Sequence, residues 1–221
     1  MPQLIAMVIV VVGAMIYMFQ TFGGTGDKIE GIAQKSSIIT EINNIKNGLK
    51  LATKAGHVAV TVPTTTNGVS ADAVKTLQGL AKLAYFPEQV NTQSIAATTT
   101  NANVYNAISF GGVENETTPA MQISLAATTK GYIPGIFIDL SKGSLKGNVA
   151  FLESQIATDL EAVAYIDRTA STSAASVTAR GTTSDLLKRT PADTTASTTA
   201  LASDGKFTIY FKDFASDEVI Q

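Results

Sequence analysis

DKIEGIAQKSSIITEINNIKNGLKLATKA, residues 27–55, is the stretch whose periodicity decides the fold. Ile29, Ile32, Ile39, Ile42, Ile45, Leu49 and Ala52 recur at spacings of three, four and seven, one face of a 3.6-residue period. Lys28, Gln34, Lys35, Glu41, Asn44, Lys46 and Lys50 fall on the other side. The pattern predicts one amphipathic helix, begun by Asp27 and ended by Gly56 and His57. Its apolar stripe requires a sheet or another helix to cover it.

Upstream of it, LIAMVIVVVGAMIYMF at 4–19 carries no charge, and with its flanks it reaches the length of a bilayer-spanning helix. No Lys or Arg precedes it, the run exceeds a signal-peptide core, and no small-x-small cleavage site follows, so a retained segment is expected. Gly23, Gly24 and Gly26 form a joint before the amphipathic helix, because glycine loses the most conformational freedom when held helical. Residues 2–55 read as one rod of about 80 Å.

Downstream, VAVTV at 58–62 alternates like a strand, and a second helix capped by Ser70 buries Val74, Leu77, Leu80, Ala81 and Ala84. Strands are expected at 103–110, 121–127, 132–140 and 206–214, with Pro134 and Gly135 placing the third at an edge or bulge. Asn148 to Tyr165 has helical spacing through Leu152, Ile156, Leu160 and Val163, and 168–204 is rich in Ser and Thr. The fold class is α+β: a long N-terminal helix on a mostly antiparallel sheet. The chain divides into 1–26, apolar helix and joint, and 27–221, a globular head that includes the amphipathic helix.

Composition demotes some kinds of function and removes others. Among 221 residues, 16 Lys and Arg nearly balance 18 Asp and Glu, so a nucleic-acid role has no electrostatic footprint and is demoted. Cysteine is absent, excluding disulfides, thiolate nucleophiles and Cys-containing zinc sites, and His57 is the single histidine. That residue reads as a helix-end or surface group. Asp139, Asp204, Asp213 and Asp217 do not have calcium-loop spacing, and Lys142 and Lys146 oppose a cation in the 139–148 loop. Ser141 and Ser154 lie outside any G-x-S-x-G elbow. No enzyme activity, cofactor or metal is expected. Asn115-Glu116-Thr117 fits a glycosylation acceptor.

The order of apolar helix, glycine joint, amphipathic helix and strand-ending head resembles the type IV pilin family, including type IVb pilins and pseudopilins. The resemblance implies that Met1 is a processed, methylated N-terminus. It implies that Leu4, Ile5, Val8, Ile9, Val11, Val12, Gly13, Ile16 and Phe19 form an assembly core, and that Gly23, Gly24 and Gly26 melt on assembly. Ile29, Ile32, Ile39, Ile42, Ile45 and Leu49 would then pack on the head. Ile5 stands where the family carries glutamate, and the family's C-terminal cysteine pair is missing. The implied function is a structural subunit of a bacterial type IV pilus-like filament serving adhesion, motility or DNA uptake. Its partners would be copies of itself in a helical filament, the inner membrane before assembly and the pilus assembly machinery, with the filament displayed on the cell surface. The alternatives are a membrane-anchored periplasmic or cell-surface binding module, or a pseudopilin of a secretion machine.

Overall fold

The structure, a computed structural model, describes residues 30–60, 74–117, 120–127, 130–168 and 204–221. Helix α1 runs through 30–54. It is followed by α2 (Leu77–Lys82), α3 (Glu88–Ala96), β1 (Tyr105–Asn106), β2 (Gln122–Ala126), β3 (Gly135–Asp139), α4 (Val149–Leu160), β4 (Ala164–Asp167) and β5 (Lys206–Phe211). The strands form one five-stranded sheet in the order β1-β2-β3-β5-β4, with every neighbouring pair antiparallel. An α+β fold with its N-terminal helix packed on an antiparallel sheet is therefore what the chain adopts.

Register sorts the side chains between two faces. Ile123, Ile138 and Phe207 oppose one another in sequence across the sheet, as do Leu125, Ile136, Ile209 and Ile166. Residues directly opposite share a face, and this face packs with Ile38, Ile42, Ile45 and Leu49 of α1 and Leu152 and Ile156 of α4. The two helices also meet through Lys35 and Asp159 at 2.6 Å. On the other face Ser124, Phe137, Thr208 and Asp167 form a row. All residues of β3 are buried, with Ile136 and Ile138 on one face and Phe137 on the other, and it lies at the sheet centre instead of the edge that Pro134 suggests. Proline causes no conflict there because it precedes the strand.

The covered stripe of α1 is rotated from the expected one. Ile42, Ile45 and Leu49 are buried, but Ile38 replaces Ile39, which is half-buried, and Ile32 is 61% exposed. Adjacent isoleucines at 38 and 39 allow either phase, and side-chain fit selects one. A Cβ on Gly31 would stand 2.9 Å from the Phe151 ring, so α4 closes on the Gly31 side. Glu41, expected on the polar face, is buried with the stripe, where it accepts hydrogen bonds from the Tyr105 hydroxyl at 2.9 Å and the Ser109 amide at 2.8 Å. Lys46, expected in solvent, pairs with Asp213 at 2.8 Å and lies over the Phe211 ring.

Other elements differ in extent. α4 stops at Leu160, and the last two residues of the expected helix, Ala164 and Tyr165, instead open β4, which pairs with β5. The 103–110 strand shortens to two residues followed by a 3-10 turn at Ile108–Phe110. Helix α2 is capped by Thr76, whose side chain accepts from the Gly79 amide, and Ala84 is left exposed in the left-handed region at φ 58°. Val58 and Val60 exchange backbone hydrogen bonds with Gln221 without forming a regular strand.

Among the described residues no helix is long and apolar enough to cross a membrane. α1, the longest of them, carries Lys35, Glu41, Lys46 and Lys50 along its length, so its apolar side is a stripe suited to a sheet and not to lipid. The filament-subunit function, its anchored-module and pseudopilin alternatives, the transmembrane helix, the inner-membrane and assembly-machinery partners, and the surface-filament location are corrected accordingly and set aside. Met1, Leu4, Ile5, Val8, Ile9, Val11, Val12, Gly13, Ile16, Phe19, Gly23, Gly24, Gly26 and Ile29, on which those expectations drew, lie outside the described residues, as do Ser70 and 169–203.

Candidate binding trough

A trough of about 780 Å³ opens between α3 and the segment after β1. Helix α3 begins after Pro87, with Glu88 in its first turn, where a carboxylate favours the positive end of the helix dipole. The Asn91 side chain locks that start by accepting from the Phe86 amide at 3.2 Å and donating to the Phe86 carbonyl at 2.5 Å.

Gln93 builds the floor. Its carbonyl accepts from the Asn106 amide at 3.0 Å, and its amide donates to the Asn106 carbonyl at 2.9 Å and to that of Gly112 at 3.1 Å. A side chain thereby occupies the open edge of β1 as a neighbouring strand would, leaving no bare ladder there. The Gly112 backbone approaches so closely that a Cβ would stand 2.4 Å from the Asn106 carbonyl oxygen. The far wall is held by Glu116, which accepts from the amides of Val113 and Ala120, both at 2.9 Å. Glu88, Gln89, Thr92, Ile108, Val113 and Glu114 complete the lining. Two carboxylates, an amide and a hydroxyl thus stand around two aliphatic side chains on a pre-formed base.

Asn115 is exposed at the end of this wall in the left-handed region, φ 52°. Its side-chain carbonyl accepts from the Thr98 amide at 2.8 Å, and its amide donates to the Ala96 carbonyl at 3.4 Å, so the acceptor nitrogen of the glycosylation pattern ties the loop to the end of α3. His57 Nδ1 lies 2.6 Å from the Tyr85 hydroxyl, and the rings meet edge to face. Burial raises the Tyr85 phenol above its ordinary value.

The remaining carboxylates do not converge. Asp139 accepts from the backbone and hydroxyl of Ser141, Asp204 from the Lys206 amide, and Asp213 contacts Lys46 and Lys50. Among the described residues no three His, Asp or Glu side chains are placed to hold a metal ion. Ser154 lines a second trough, between α4 and β4.

Sequence reading missed α3 and with it the whole trough. Pro87-Glu88 is a helix-start signal, but EQVNTQSIA buries only Val90 and Ser94, so no apolar period marks it. Compared with family models, curated proteins and solved structures, the chain matches none.

Proposed function

We propose that this chain is a non-catalytic recognition module, its head laid out on a pilin-like plan of helix on antiparallel sheet, and that the α3–β1 trough receives a short cationic peptide segment. The observation that carries this reading is the pre-formed base: Gln93 makes three hydrogen bonds to β1 and its following loop, so the lining groups are positioned before a partner arrives. Glu88 and Glu114 supply charge complementary to an ammonium or guanidinium, and Ile108 and Val113 supply a surface for its aliphatic stem. Buried carboxylates elsewhere brace the frame: Glu41 holds the turn after β1, and Glu218 holds the Ala215 amide.

Titrating the isotope-labelled protein with a lysine tripeptide tests this by amide chemical shifts. Shifts concentrated at 88–93 and 108–114, and abolished by Glu88→Lys with Glu114→Lys, are expected. Equal shifts from a glutamine tripeptide, or shifts elsewhere alone, reject the reading.

A further inference from the structure

The other sheet edge, β4, is built differently from β1. Lys212 N–H donates to the Val163 carbonyl at 2.9 Å, and the register continues as Ala164 opposite Phe211, Tyr165 opposite Tyr210 and Ile166 opposite Ile209. Hydrogen-bonded and non-bonded pairs alternate in an antiparallel ladder. Val163 and Tyr165 therefore face β5 with their backbone groups, and Ala164 and Ile166 direct theirs away from the sheet. Among the described residues no strand pairs with that side. A trough of about 580 Å³ runs beside it, walled by Ser154, Ala157 and Thr158 of α4, one small-residue row spaced three and four apart.

We infer that this edge pairs with β4 of a second copy in a closed two-fold dimer, joining two sheets into one. Centring the antiparallel register on Tyr165 sets Ala164 opposite Ile166 of the copy and Ile166 opposite its Ala164. The outward backbone groups of Ala164 and Ile166 are then all paired within the two strands, whereas a register centred on Ala164 or Ile166 would need residues beyond β4. The flanking charges permit this choice: the Lys212 ammonium donates to the Glu161 carbonyl at the start of the strand and Arg168 pairs with Glu153 at its end, so neither end presents a net charge that antiparallel pairing would set against its like. Both α4 helices lie on the same face of the joined sheet, and their small-residue rows leave space beside the seam. Tyr165 and Val163, 39% and 48% exposed, flank the junction. This pairing is independent of the α3–β1 trough and of residues 1–29.

The chain has no cysteine, so a single introduced thiol reports the register. In the dimer the two copies of residue 165 form a non-hydrogen-bonded pair about 4.5 Å apart at Cα, within disulfide reach, whereas the two copies of residue 163 stand roughly 14 Å apart. Full-length Tyr165→Cys treated with copper-phenanthroline should run as a covalent dimer on non-reducing gels, and Val163→Cys should remain monomeric. Adding Thr158→Lys, an exposed change that fills the α4 wall, to the Tyr165→Cys protein should abolish its cross-link while circular dichroism stays unchanged. Equal cross-linking at positions 163 and 165, none at 165, or a cross-link at 165 that survives Thr158→Lys overturns the proposal.

Discussion

Gly48 of α1 sits against the chain that follows α2. A Cβ there would lie 2.4 Å from Phe86 and 2.5 Å from the Tyr85 carbonyl oxygen. Alanine favours a helix over glycine by about 1 kcal/mol, yet overpacking against backbone costs about 1–3 kcal/mol or more. Gly48→Ala is therefore expected to lower the thermal midpoint despite its better propensity. Ala84 presents the reverse case. The Tyr85 amide bonds to the Leu80 carbonyl and the Ala84 amide to that of Ala81, a Schellman ending with alanine in the left-handed position glycine prefers. Ala84→Gly should stabilise by about 1 kcal/mol in denaturant unfolding, the left-handed strain outweighing the added unfolded-state entropy. Partial burial pushes the Asp213 carboxyl up, but the hydrogen bond and charge of Lys46, then the charge of Lys50, outweigh it and hold the pKa below the ordinary value. A depressed folded pKa stabilises above the unfolded value of about 3.9, and the contribution is lost as pH falls through the folded value. Asp213→Asn should thus cost under about 1 kcal/mol near neutrality, since the group is half-exposed and screened, and nothing in strong acid. A pH series of urea melts on both proteins checks the convergence.

At the level of elements, α1 and α4 each carry a carboxylate into the core. Glu153 of α4 is fully buried, accepting from Arg168 Nε at 2.6 Å and from the Gly205 amide at 2.9 Å. One side chain thus ties the end of β4 to the start of β5. Removing one member of a buried pair leaves the other charge uncompensated, so Glu153→Ala should cost about 3–5 kcal/mol. A thermal shift no larger than that of a surface substitution would show that the clamp is dispensable. On α1 the rotated stripe gives a sharper comparison than burial in general. Ile42→Ala should cost about 2–5 kcal/mol and Ile32→Ala under about 0.5, because the first is enclosed and the second already faces solvent.

Across the whole molecule, order is concentrated at the sheet centre. β3 and β5 are flanked by strands on both sides, and β3 is buried throughout, whereas β1 has two residues and, among the described residues, β4 has a strand on one side only. Opening free energies follow burial and enclosure. Hydrogen exchange on dilute protein should find the slowest amides in β3 and β5 and faster ones in β4. Slowest exchange in β1 or α2 would place the stable unit elsewhere.

The amphipathic period of 27–55, the apolar alternation of 206–211 and the absence of cysteine determined by themselves that a helix would lie on a sheet held without disulfides. Periodicity is local chemistry, and any partner surface must satisfy it. It could not choose between Ile38 and Ile39, because two adjacent apolar residues serve either phase until Phe151 closes on Gly31. Nor could it show that Ala164 and Tyr165 leave the helical pattern, since apolar residues there fit both periods and pairing with β5 decides. The trough stayed hidden for a related reason. Gln93, Asn106 and Gly112 are polar or small residues at separations that fit no helix or strand period, and their chemistry arises when tertiary contact turns one amide side chain into a surrogate strand.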